Sequence, residues 1–183
     1  MIYISLVGGD EFGDFAGNFN KVLEMCGCSY IYSPGTGLIV HPECCQNPDF
    51  MIFCADTPML ITGSSPLITV FLDGFTAGAI TPSQLCCIKY AVLEPQNTKA
   101  AALLSKTDIS AITCGMSDLD TMTFSSMNQR FPIATLQRSL IALDGSVIDP
   151  REVRLCPVSG LSLYPSLAAA ACVLISGKEM QGQ

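Results

Sequence analysis

Residues 2–27 read IYISLVGGDEFGDFAGNFNKVLEMCG. The first six form a continuous apolar run, which predicts a strand buried on both faces as in a parallel sheet. Gly8 and Gly9 end that run. Beyond them Phe15, Phe19, Val22, Leu23 and Cys26 fall on one helical face, and Gly27 follows as a C-cap. Strand, glycine-rich loop and helix together open a crossover unit. The next segments repeat the theme: SYIYS (29–33), FMIFCA (50–55), LITVFL (67–72), KYAVLE (89–94) and ISAITC (109–114) are strand-length runs. Turn residues stand at Pro34-Gly35-Thr36-Gly37 and Gly63-Ser64-Ser65-Pro66, and NTKAAALLSK (97–106) is rich in helix formers. Strands separated by segments of this length need crossovers, so the class is α/β with a mainly parallel, Rossmann- or P-loop-like sheet flanked by helices.

The last third has a different texture. TMTFSSM (121–127), FPIATLQRSLIAL (131–143) and SVIDPREVRLCPV (146–158) are β-branched and partly alternating, with an Asp144-Gly145 hairpin signal. They predict short antiparallel strands on one edge. A helix follows from about 164 to 176, with Pro165 in its first turn, an Ala168–Ala171 run and Gly177 after its end. No linker or repeat interrupts the chain, which reads as one domain over residues 1–183.

Composition narrows the function classes. Nine Lys and Arg against sixteen Asp and Glu give a net charge of −7 over 183 residues, with no basic cluster. Nucleic acid and anionic membrane surfaces ask for the opposite sign, so neither is an expected partner. The start lacks a basic segment before its apolar run, and LAAAACVLI (167–175) is too short to span a bilayer. The reading is a cytoplasmic protein. Ten cysteines then read as reduced thiols rather than a disulfide framework, since Cys54, Cys114 and Cys172 lie within apolar runs. Cys26-x-Cys28 and His41 with Cys44 and Cys45 are the nearest approaches to metal-ligand spacing, and no second short-spaced pair accompanies either. No metal and no cofactor is expected.

The loop after the first strand sets Gly8 and Gly13 in a G-x-x-x-x-G frame. In a phosphate-binding loop the next two residues are a lysine, which adds positive charge, and a Ser or Thr, whose hydroxyl helps hold magnesium. Here they are Asp14 and Phe15, and Asp10 and Glu11 add two more carboxylates. Gly8, Gly9, Gly13, Asp14 and Phe15 are thus the positions of a phosphate loop that has lost its phosphate chemistry. Acids at a helix N-terminus are favoured by its dipole in any case, and oxygen ligands from Asp10, Glu11 and Asp14 could serve a cation.

Taken together, these segments resemble the central, ATP-binding domain of the Mur ligases, which add amino acids to peptidoglycan precursors. IYISLVGGDEFGDFAGNFNKVLEMCG has the layout of that family's strand, G-T-x-G-K-T/S loop and helix, without the Lys-Thr. ISAITCGMSDLDTMTFSSM resembles its strand ending in glycine and leading into added antiparallel strands. VSGLSLYPSLAAAACVLISG resembles its Gly-x-x-Asn-x-x-Asn-Ala-x-Ala-Ala helix, with Tyr164 and the alanine run kept. The family's metal-binding Glu has Asp56 at best, and its Asn-x-x-x-Asp-His segment keeps only Asp73. The family's carbamylated lysine has no counterpart. The resemblance implies the fold and carries over no catalytic residue.

Elsewhere the chemistry is sparse. His41 is the one histidine, and no G-x-S-x-G elbow accompanies it, so a nucleophilic triad is not expected. Asp118 with Asp120, and Asp149 with Glu152, are carboxylate pairs in turn-like surroundings and read as solvated. Arg130, Arg138, Arg151 and Arg154 lie in the antiparallel region, where Arg138 and Arg151 are candidate anion-binding groups. The expected function is a non-catalytic domain that binds a protein partner or small ligand, with a link to cell-wall metabolism through the resemblance. The alternative is an ATP-dependent amide ligase subunit completed in trans. With 14% charged against 49% apolar residues, the chain also predicts a homo-oligomer, a dimer first.

Overall fold

The computed structural model describes residues 1–8, 12–34, 39–40, 47–55, 66–76, 85, 87–126, 132–155 and 162–178. The chain forms two compact units interleaved in sequence: Met1–Phe12 with Ser29–Ala111, and Gly13–Cys28 with Ile112–Gln183.

The first unit is built on β1 (Ile2–Val7), β2 (Tyr30–Ser33), β3 (Ile39–Val40), β4 (Phe50–Ala55), β5 (Leu67–Phe71) and β6 (Ile88–Leu93). With β7 (Ser110–Thr113), whose residues divide between the units, they make a seven-stranded sheet in the order β3-β2-β4-β1-β5-β6-β7. β1 pairs parallel with β4 and β5, β2 with β4, and β5 with β6. The sheet is therefore mainly parallel, as the unbroken apolar runs predict: all five residues of β5 are buried. β3 is the exception. It runs antiparallel to β2, with Ile31 opposite Val40 and Tyr32 opposite Ile39. Two residues are too short for a periodic signal, which is why the sequence did not announce it.

One core of this unit gathers Val7, Leu67, Phe71, Phe75, Leu93 and, from α2 (Thr98–Leu104), Ala100, Leu103 and Leu104. Asn97 fastens α2 to the sheet. Its side-chain oxygen accepts from the Ala100 amide at 3.0 Å as an N-cap, and its amide nitrogen donates to the Leu72 carbonyl at 2.9 Å.

Two polar groups sit in the middle of this apolar unit. Ser5 and Thr69 are opposite one another in the β1–β5 register, both fully buried, and neither hydroxyl has a hydrogen-bond partner. A buried hydroxyl without a partner keeps its desolvation penalty and returns nothing. Ser5→Ala and Thr69→Val are therefore expected each to raise stability by about 1 kcal/mol. Urea unfolding reads this as a higher midpoint at constant slope, and a lower midpoint for both variants would show that the hydroxyls are satisfied.

In the second unit, α1 (Phe12–Met25) buries Ala16, Phe19, Asn20, Val22 and Leu23 on the face that the spacing indicated. It ends in a Schellman motif: the Cys28 amide donates to the Leu23 carbonyl and the Gly27 amide to that of Glu24, both at 2.9 Å. The antiparallel strands form sheets of their own rather than extending an edge of the seven-stranded sheet. β9 (Ile133–Leu136) is the middle strand between β8 (Met122–Ser126) and β12 (Arg151–Arg154), and β10 (Leu140–Ile141) pairs with β11 (Val147–Ile148). The Asp144-Gly145 turn closes that hairpin. Asp144 Oδ1 accepts from the Ser146 amide at 2.9 Å and from its hydroxyl at 2.7 Å, bonds that hold its carboxyl below the usual carboxylate range.

α3 (Leu163–Ile175) completes the unit, and every residue from Tyr164 to Ile175 is buried. An apolar helix with no polar face has to be enclosed by protein. Among the described residues, no helix is long and apolar enough to cross a membrane.

Candidate functional site

The glycine loop divides between the two units, Gly8 in the first and Gly13, Asp14 and Phe15 in the second. Gly9, Asp10 and Glu11 lie outside the described residues, and with them most of the cation cluster considered from sequence.

Gly8 is fixed by its own unit. It is buried and has φ +121°, and a Cβ on it would stand 2.8 Å from both the backbone nitrogen and the Cα of Phe75. The chain after β5 is held there because the Leu72 amide donates to the Val7 carbonyl at 2.9 Å and the Phe75 amide to the Leu72 carbonyl at 3.0 Å. Glycine is required at this position for packing alone, whatever the loop binds.

Gly13, Asp14 and Phe15 lie in the first turn of α1. A Cβ on Gly13 would meet nothing within 4 Å. Asp14 is exposed, and its carboxylate complements the positive end of the helix dipole. Phe15 turns to the protein: its ring centroid lies 5.9 Å from that of Phe19 and 5.4 Å from that of Tyr164, tilted by 58° to the latter. A magnesium triphosphate takes a cation and a hydroxyl at these two positions. A carboxylate and a phenyl ring built into an aromatic cluster do not fit it.

The remaining candidates separate. Arg138 is exposed and donates from Nη2 to the Leu119 carbonyl at 2.6 Å. Arg151 is exposed on β12 and lines a cavity of about 320 Å³ that Arg138 does not reach. The fold thus does not gather the two arginines into one anion site. Asp120 corrects the sequence reading. It is only 3% exposed, and its carboxylate accepts from the Ser117 amide at 3.0 Å, closing the turn between β7 and β8. Asp118, Asp149 and Glu152 are exposed as expected. Arg130, His41, Cys44, Cys45 and Asp56 lie outside the described residues, whereas Asp73 is exposed.

None of the described cysteines is in a disulfide: Cys26, Cys28, Cys114 and Cys172 are buried, Cys54 is half-buried and Cys87 is exposed. Cys54 Sγ lies 3.3 Å from the Tyr32 hydroxyl. Burial pushes the Cys54 thiol and the Tyr32 phenol up, and it does the same for the thiol of Cys172. These groups stay protonated near neutrality, which makes Cys54 and Cys172 weak nucleophiles and weak metal ligands.

The cavity is the feature that the sequence did not disclose. It lies within the second unit, where Ser146–Arg151 meets Leu174, Gly177 and Lys178 at the end of α3. The only hint was the polar Pro150-Arg151 step inside an apolar stretch.

No protein-family profile and no curated protein sequence matches this chain. Solved structures do. A murein peptide ligase from Psychrobacter arcticus superposes with a TM-score of 0.57 at 10% identity, covering 97% of this chain and 44% of the ligase. A bifunctional folylpolyglutamate synthase/dihydrofolate synthase from Yersinia pestis, solved with AMPPNP and a Mn ion, gives 0.59 at 10% identity, over 98% of this chain and 54% of its own. Both neighbours share the Mur ligase central-domain fold. This chain has that fold. It spans about half the length of the enzymes it matches.

Proposed function

We propose that this chain is a Mur-ligase-like domain that acts by binding a small ligand or a protein partner, without phosphoryl transfer of its own. Phe15 carries the reading. Where a phosphate loop needs a hydroxyl on magnesium, its half-buried ring packs against Phe19 and Tyr164, and the preceding Asp14 opposes a triphosphate in charge. Phosphoryl transfer is mostly electrostatic stabilisation, so losing both groups removes most of what the loop contributes. The tie to cell-wall metabolism rests on the fold shared with the murein peptide ligase. A second copy of the chain is the first partner to consider, given its low charge.

Calorimetry with Mg-ATP, and with AMPPNP and manganese, tests the reading. The expected result is no saturable heat; binding tighter than about 0.1 mM overturns it. It would favour the second reading, an amide ligase subunit whose missing groups come from another chain. Both structural neighbours are ligases or synthases, which keeps that second reading in view.

A further inference from the structure

We propose that the cavity at the C-terminal end of α3 is a binding site for a small organic oxyanion, a carboxylate or a phosphate ester, held by Arg151. It goes beyond the reading of the glycine loop and does not depend on it.

The cavity has the size of a metabolite site, about 320 Å³. Ser146, Asp149, Arg151 and Lys178 supply polar groups around it, and Ile148 and Leu174 supply apolar ones. Charge decides the ligand class. The chain has nine cationic residues against sixteen acids, yet two of the nine line this one concavity. Among the described residues, the Arg151 guanidinium has no hydrogen bond or ion pair, while that of Arg138 is engaged with the Leu119 carbonyl. A free guanidinium at the mouth of a cavity is a ready bidentate partner for a carboxylate or phosphate.

The negative end of a helix normally argues against an anion. Here its carbonyls are all taken up. Cys172 O accepts from Ser176 N at 3.0 Å, Val173 O from Ser176 Oγ at 2.6 Å, Leu174 O from Gly177 N at 2.9 Å and Ile175 O from Leu143 N at 2.8 Å. Asp144, which a Cβ on Gly177 would approach to 3.2 Å, spends one oxygen on two bonds from Ser146. Asp149 is the remaining carboxylate of the lining, and it suits a ligand that carries a hydroxyl or amine beside its anionic group.

The site is distinct from the glycine loop. Phe15 touches α3 at Tyr164, the opposite end of a helix of 13 residues, about 20 Å long.

The test follows amide resonances of the ¹⁵N-labelled full chain during titration with inorganic phosphate and, separately, with succinate, at ionic strength fixed with NaCl. Saturable shifts confined to residues 146–151 and 174–178 are expected, with millimolar affinity. Arg151→Gln should weaken the response about tenfold or more while keeping a folded spectrum, and Arg138→Gln should leave it unchanged. Response to one anion and not the other assigns the ligand as phosphate ester or carboxylate. Shifts that never saturate, or that survive intact in Arg151→Gln, overturn the proposal. Failure here leaves the ATP calorimetry unaffected, so the two readings fall separately.

Discussion

Gly8→Ala is expected to cost about 3–5 kcal/mol, enough to leave much of the protein unfolded or aggregated on expression. Two penalties add. At φ +121° an L-residue is strained, and the new methyl would stand 2.8 Å from the Phe75 backbone. That backbone cannot step aside cheaply, because the Phe75 amide is bonded to Leu72 O and the Leu72 amide to Val7 O. Gly13→Ala supplies the contrast. The space around Gly13 is open and the position is helical, so alanine there should be neutral or stabilising by up to about 1 kcal/mol. Urea unfolding of the pair decides the matter, and equal midpoints for the two variants would refute it. The two glycines of one sequence frame thus answer to different constraints, one to packing and the other to no steric demand.

That contrast shows what a sequence can and cannot disclose here. β1 and β5 were legible because burial on both faces favours unbroken apolar runs, and α1 because its single buried face imposes a helical period. β4 and β6 were legible because their runs are apolar at strand length, although β4 is half-buried on one face and β6 exposes Lys89. The Asp144-Gly145 turn and the close of α1 at Gly27 were legible because few residues suit those backbone geometries. What stayed hidden depends on partners distant in sequence. Gly8 reads as a strand end until Phe75 is seen to press on it. Asp120 reads as a solvated acid until its carboxylate is found under the Ser117 amide. Phe15 is a helix-face aromatic by spacing, and its contact with Tyr164, nearly 150 residues on, is not written in any local pattern. The cavity is built from a hairpin turn and a helix end, which no local pattern joins.

The second large effect is expected along α3. Ala168, Ala169, Ala170 and Ala171 are all fully buried, and successive residues of a helix point about 100° apart. The four methyls therefore sample every direction around the axis. In a helix with a solvent face, at least one of four consecutive leucine substitutions projects outward and changes stability by less than about 0.5 kcal/mol. Here each adds three carbons where close-packed neighbours leave no room, so all four Ala→Leu variants should lose about 1–3 kcal/mol. The double variant Ala169→Leu/Ala171→Leu should lose more than either single change, since its added groups press on different sides of the helix. Thermal or urea unfolding of the set measures this. A single neutral member would mean that α3 has a solvent face and that the small residues reflect composition rather than enclosure. Four losses would explain why the sequence keeps a run of alanines in a helix that elsewhere carries larger apolar groups such as Leu167, Val173, Leu174 and Ile175: only a helix this thin at its middle fits the space given to it.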